Sequence, residues 1–214
     1  MELKGKSIHF MGDSITQGIG VAAKEQIYCN ILKEKYGLKA ANNYGIEGTR
    51  IAQYIGRDPR PYGNAFVDRF QEMDKEADAV VVFGGTNDFG HGNAPMGTFG
   101  DHTPKTFYGA LSILMRGLIE RYPEIPIIFM TPLHRRNELE RSVLTGHVFR
   151  DYVQAIRIMA EYYSLPVVDL YAGVGIQPNI PSQKVLYCPD GLHPNAAGHE
   201  KIAAMLASFL LHLV

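Results

Sequence analysis

Short apolar runs recur along the chain, and between them apolar residues fall at helical spacing. Ser7–Met11 predicts a first strand, ended by Gly12. Ile27, Ile31 and Leu32 then share one face of a helix expected over Ala23–Tyr36 and closed by Gly37. Leu38–Tyr44 reads as a weaker second strand, followed by a polar turn, Gly45–Thr49, leading into a short helix. Ala79–Phe83 is an unbroken Ala-Val-Val-Val-Phe run, the pattern of a strand covered on both faces. Leu111, Leu114, Met115 and Leu118 predict a helix over Phe107–Tyr122, and Ile125–Met130 a fourth strand. A helix over Val148–Tyr163 and a fifth strand over Pro166–Leu170 follow. The last helix opens at Pro194 or Asn195 and stays apolar through Ile202, Ala203, Leu206 and Leu210.

Strands that alternate with helices predict an α/β fold, with about five parallel strands covered by helices on both faces and joined by right-handed crossovers. Such sheets bind ligands at the carboxyl ends of their strands. Gly12–Thr16 follows the first strand, Gly45–Thr49 the second and Gly85–Asp88 the third, while Asp190–His193 lies after the fifth. All four segments therefore fall on one edge. Two long irregular stretches, Phe89–Thr106 and Gly173–Leu192, leave the same edge and are expected to border a site there.

The chain has 214 residues, 46% hydrophobic and 20% charged, with a net charge of −1. That size and balance predict one globular domain over residues 1–214. The near-zero charge, spread along the chain, gives no footprint for nucleic acid or a membrane surface. No apolar run suits a signal peptide or a transmembrane helix, so a cytoplasmic location is expected. Cys29 and Cys188 are read as two free thiols, with Cys188 an apolar filler close to Asp190.

The chemistry is carried by four short motifs. Ser14, in Gly12-Asp13-Ser14-Ile15-Thr16, is placed at the start of a helix, where backbone N–H groups favour an anion. Taken alone it is as well explained as a helix cap. Asn87 could aim its amide at a developing oxyanion, or could serve an ordinary turn. Gly48 would let a backbone N–H approach a substrate closely. Asp190-Gly191-Leu192-His193-Pro194 is the strongest of the four. His193 can serve Ser14 as base and the leaving group as acid, with Asp190 holding its other ring nitrogen. A helix start accounts for Pro194 but not for an Asp and a His ahead of it.

In this order, Gly-Asp-Ser-Ile-Thr, Gly48, Gly-Thr-Asn-Asp and Asp-x-x-His-Pro, the motifs resemble those of the SGNH hydrolases, the GDSL-type esterases and lipases. Ser14, Gly48, Asn87 and His193 match the four residues that name that family, and Asp190 its triad acid. Ile15 stands where the family's alternative name has Leu. The resemblance implies a three-layer, flavodoxin-like α/β/α sandwich and ester hydrolysis through an acyl-serine, with no metal or cofactor. Ser14, Asp190 and His193 would be catalytic, and Ser14, Gly48 and Asn87 would form the oxyanion hole.

Further candidates for substrate binding are Asp13, Arg50, Asp88, His91, His102 and His134, chosen for their places along the same edge. The eight histidines form no ligand spacing for a metal. The expected partner is a small-molecule ester, preferably a short acyl ester such as an O-acetyl group on a carbohydrate or small metabolite. A lysophospholipase or thioesterase stays open. So does a different class, a non-catalytic module holding FMN or a nucleotide phosphate on the Gly12–Gly18 loop. That alternative leaves Asn87, Asp190 and His193 without a role. The sequence sets no oligomeric state.

Overall fold

The computed structural model describes residues 2–53, 64–90 and 94–213. Five parallel strands, β1 (Ser7–Gly12), β2 (Ala40–Gly45), β3 (Ala79–Phe83), β4 (Ile127–Met130) and β5 (Val167–Val168), lie in the order β2-β1-β3-β4-β5. The helices are α1 (Ser14–Gln17), α2 (Tyr28–Tyr36), α3 (Phe66–Arg69), α4 (Thr86–Gly90), α5 (Phe107–Arg121), α6 (Phe149–Tyr162), α7 (Leu170–Gly173), α8 (Pro181–Tyr187) and α9 (Ala196–Leu211).

The pleat divides the core in two. Met11, Val80, Val82, Ile127 and Phe129 face one layer, built from α3, α5 and α6, while Ile8, Phe10, Val81, Ile128 and Met130 face the other, built from α2 and α9. The result is a three-layer α/β/α sandwich. Both faces are dry, so truncating one core side chain, such as Leu114→Ala, costs about 2–5 kcal/mol.

Several expected boundaries move, each for a local reason. The helix over Ala23–Tyr36 is two pieces. A 3₁₀ turn at Lys24–Gln26 ends at Ile27, which is extended (φ −75°, ψ 135°) and starts α2. Gly37 closes α2 with φ 66°, as expected. β2 starts later, at Ala40, and β4 at Ile127. The segment after Thr49 is bent rather than helical as far as Gln53, and the short helix appears only at α3. β5 shrinks to two residues because the Asp169 carboxylate accepts from the Ala172 N–H and turns the chain into α7. Gly173–Leu192 is not wholly irregular, since Pro181 opens α8. Gly85–Asp88 is more than a turn, because Thr86 begins α4.

The register places the site. Gly12 pairs with Gly45 on one side and with Phe83 on the other. The three segments that leave these strands, at Asp13, Ile46 and Gly84, therefore emerge side by side at one edge.

Candidate active site

Ser14 is the first residue of α1, and Asp13 caps that helix: its Oδ1 accepts the Ile15 N–H at 3.0 Å. The cap role is thus taken by Asp13, which leaves the Ser14 hydroxyl free for another partner. That partner is His193, whose Nε2 lies 3.1 Å from Ser14 Oγ. On the other side of the ring, Nδ1 lies 2.7 Å from Asp190 Oδ2. A carboxylate can only accept, so Nδ1 carries the proton and Nε2 is left to accept from the serine hydroxyl.

The Asp-x-x-His spacing builds its own geometry. Asp190 Oδ1 accepts the Leu192 N–H (2.8 Å) and the His193 N–H (2.7 Å), while Gly191 turns with φ +79°. Burial alone would raise the Asp190 pKa. The hydrogen bonds from the His193 backbone and side chain and from Leu192 outweigh it and hold the carboxyl below its ordinary value. Asp190 stays a carboxylate near neutral pH, as an orienting partner must. The loop is seated from two sides. Arg136 donates its N–H to Gly191 O (2.8 Å), and Gly20 packs so tightly beneath that a Cβ there would lie 2.4 Å from Pro194 O.

Around Ser14 the other two strand ends contribute. Ile46–Thr49 is a tight turn closed by the Thr49 N–H to Ile46 O (3.3 Å), with Gly48 at φ +73°, a conformation that favours glycine. Asn87 is buried on α4, and its Nδ2 donates to Thr49 O at 2.9 Å. An amide nitrogen carries two hydrogens, so one remains to point at a ligand.

The remaining sequence candidates differ in what they touch. Asp13, Arg50 and Asp88 are all buried. Asp88 receives the N–H groups of Ile51 (3.0 Å) and Ala52 (2.9 Å), and the charge of Arg50 stands nearby. Desolvation pushes both carboxyls up to about 6, against the N–H bonds each accepts. Charges on His193 and Arg69 also pull Asp13 down, and Asp88 pushes it up. His134 donates to Glu138 (2.8 Å), and its ring packs on Tyr171 tilted by 32°, with centroids 3.8 Å apart. His102 lies 3.2 Å from Ser112 on α5. His91 lies outside the described residues. Cys188 is fully buried in the α2/α9 layer, with its thiol pushed up to about 12 by burial. Among the described residues no group of three His, Cys, Asp or Glu side chains could hold a metal ion, and no helix is long and apolar enough to cross a membrane.

Sequence reasoning missed Arg69 and Thr49. Arg69 is buried where β1 and β2 end and donates to Gly12 O (2.7 Å), Tyr44 O (2.7 Å), Asn64 O (3.2 Å) and Thr49 Oγ1 (3.3 Å).

A model of the GDSL-like Lipase/Acylhydrolase family matches residues 10–201, a span that holds every element of this geometry. The chain belongs to that family. By membership it is an ester hydrolase of the acylhydrolase type. A crystal structure of a Lactobacillus plantarum protein is 35% identical and superposes with a TM-score of 0.85, covering 99% of both chains. The fold is shared with two more distant crystal structures. A possible lipase from Chitinophaga pinensis is 22% identical, with a TM-score of 0.69 over 96% of this chain and 98% of that one. The lipase/acylhydrolase from Enterococcus faecalis is 21% identical, with a TM-score of 0.63 over 96% and 95%. A comparison with curated proteins finds no match.

Proposed function

We propose that this GDSL-like acylhydrolase is a serine esterase that cleaves short acyl esters, such as O-acetyl groups, from a carbohydrate or small metabolite. The observation that carries the reading is the continuous hydrogen-bonded line from Ser14 Oγ through His193 to Asp190 Oδ2, with the Asn87 amide beside it on the neighbouring strand end. In the reaction, Ser14 Oγ attacks the ester carbonyl as its proton passes to His193 Nε2. The oxyanion takes hydrogen bonds from the Ser14 and Gly48 N–H groups and the second Asn87 amide hydrogen. The C–O bond to the alcohol breaks, and the alcohol leaves with the proton from His193. Water, deprotonated by the same ring, then attacks the acyl-serine and frees the acid.

A short acyl group is favoured by the packing beside the nucleophile. There Phe83, Pro132, Leu133 and Leu192 close against Asp13 and Ile15, which leaves little space for a long chain on that side. The phosphate-module alternative fits poorly. It leaves the hydrogen-bonded line from Ser14 through His193 to Asp190, and the Asn87 amide, without a role.

The test is hydrolysis of p-nitrophenyl esters of increasing chain length by wild type and Ser14→Ala. The reading expects turnover that falls with chain length and disappears in the variant. Turnover that rises with chain length would assign a lipase or lysophospholipase, and turnover independent of Ser14 would overturn the serine mechanism.

A further inference from the structure

We propose that Arg69 is a positioning residue: it fixes the groups that receive the oxyanion, and it acts on Asn87 through Thr49. The proposal rests on the esterase reading above and adds a residue outside every motif of the sequence.

The three proposed oxyanion donors come from three separate segments. Ser14 follows β1, Gly48 follows β2, and Asn87 follows β3. Sheet register alone sets the strand ends, not the N–H vectors of the loops beyond them. Arg69, the last residue of α3, reaches across this gap. Its Nη2 donates to Gly12 O, two residues before Ser14, and to Thr49 Oγ1, next to Gly48. Its Nη1 donates to Tyr44 O near the end of β2. Gly12 O also receives the Ile46 N–H at 3.1 Å, so one carbonyl ties the Arg69 guanidinium to the first residue of the Gly48 turn.

Thr49 passes the constraint to the third loop. Its hydroxyl donates to Ile46 O (2.7 Å), and its carbonyl accepts the Asn87 amide. Held by that carbonyl, Asn87 can rotate little, and its second amide hydrogen is fixed in direction. Donors that are oriented before the charge develops stabilise a transition state without reorganising.

The choice of arginine fits this task. A planar fork satisfies Tyr44 O and Gly12 O from separate nitrogens while Phe66 stacks against it, 4.7 Å from the ring centre. A lysine ammonium has no such fork. Burial lowers the Arg69 pKa to about 10, with Asp13 and Glu72 pulling the other way, so the side chain stays a cation at neutral pH.

The experiment is a double-mutant cycle on p-nitrophenyl acetate with Arg69→Lys, Asn87→Ala and the pair, each measured below its melting temperature. Arg69→Lys should lower kcat by about tenfold or more with KM within about twofold, because the lost interaction is made in the transition state. In the Asn87→Ala background the same substitution should cost several-fold less than in wild type, since the part of its effect that runs through Thr49 to Asn87 is already lost. Equal losses in both backgrounds, or a change confined to KM, would overturn the proposal.

If Arg69→Lys does not fold, Thr49→Val replaces it in the cycle. It removes the hydroxyl contact but keeps the carbonyl, and an unchanged kcat would refute the link. The side-chain amide resonances of Asn87, assigned by nitrogen-15 NMR, give a readout free of turnover. They should shift in Arg69→Lys or Thr49→Val, and unmoved resonances count against the proposal. A wild type without Ser14-dependent turnover would instead sink the esterase reading, and the amide resonances would still decide the Arg69 claim.

Discussion

The two halves of the proposed active site are built in opposite ways. The proposed oxyanion half, Gly48, Asn87 and the Arg69–Thr49 support, is buried and gathered from two strand ends and a distant helix. The relay half, Asp190 and His193, sits on one loop. The Asp190 side chain there is 52% exposed and His193 18%. Topology assembles the first half, whereas the four residues Asp190–His193 assemble the second. Water reaches Asp190 and weakens its charge, while the Asn87 amide works in a drier medium where the same dipole counts for more. The oxyanion half should therefore carry more of the rate.

That expectation can be broken in graded steps. Ser14→Ala removes the atom both halves serve. It should lower kcat/KM by roughly 10⁴-fold or more. The melting temperature should barely move, because Asp13 and not Ser14 caps α1; steady-state kinetics beside a thermal melt checks both. Asn87→Ala should lower kcat by about 10²–10³-fold with KM little changed, as oxyanion donors do. A pure KM effect would make Asn87 a substrate contact instead. Asp190→Asn should cost less, on the order of tenfold, since solvent already screens that carboxylate. A larger loss than that of Asn87→Ala would invert the comparison.

The last effect lies outside both halves and concerns stability, with no change in rate expected. His199 on α9 is fully buried, and its Nδ1 accepts the Tyr28 N–H at 3.2 Å. Its Nε2 has no hydrogen-bond partner among the described residues. Burial lowers its pKa from 6.5 to about 4. Between those values the unfolded chain binds a proton that the folded chain refuses, so this residue's contribution falls as pH drops from 6.5 to 4, by an amount on the order of 3 kcal/mol. Asp13 and Asp88 work in the opposite sense. Their raised folded pKa values favour the folded state in acid, and that gain is lost as pH rises through about 6. His199→Gln isolates the first contribution. In urea unfolding, the variant should gain on wild type between pH 7 and pH 4.5, and a constant gap would show that His199 is not the acid-sensitive group.

Much of this arrangement is legible in the sequence because it is periodic or local. The strand runs, the apolar faces of α5, α6 and α9, and the Asp190–His193 pair each follow from residues a few positions apart. What stays hidden is set at long range or against propensity. Arg69 bonds to Gly12 and Tyr44, 57 and 25 positions away, through their carbonyl oxygens, which every residue type carries alike. Ile27 breaks a helix that its spacing supports, because its side chain is buried against Gly18 in the loop after α1. β5 is cut short by a single capping carboxylate, Asp169, which the sequence reading places inside the strand Pro166–Leu170. His102 lies on the expected loop, yet its hydrogen bond goes to the helix flank at Ser112.

The close packing of Gly20 under Pro194 has a consequence for how nucleophile and base meet. Asp190 and His193 fix each other, so their loop moves as one body, and the fold has only that body's six degrees of freedom to set. Gly20 and the Arg136 N–H supply a floor and a tether for it. A side chain added at Gly20 would therefore displace base and orienting carboxylate together and leave their mutual distance intact.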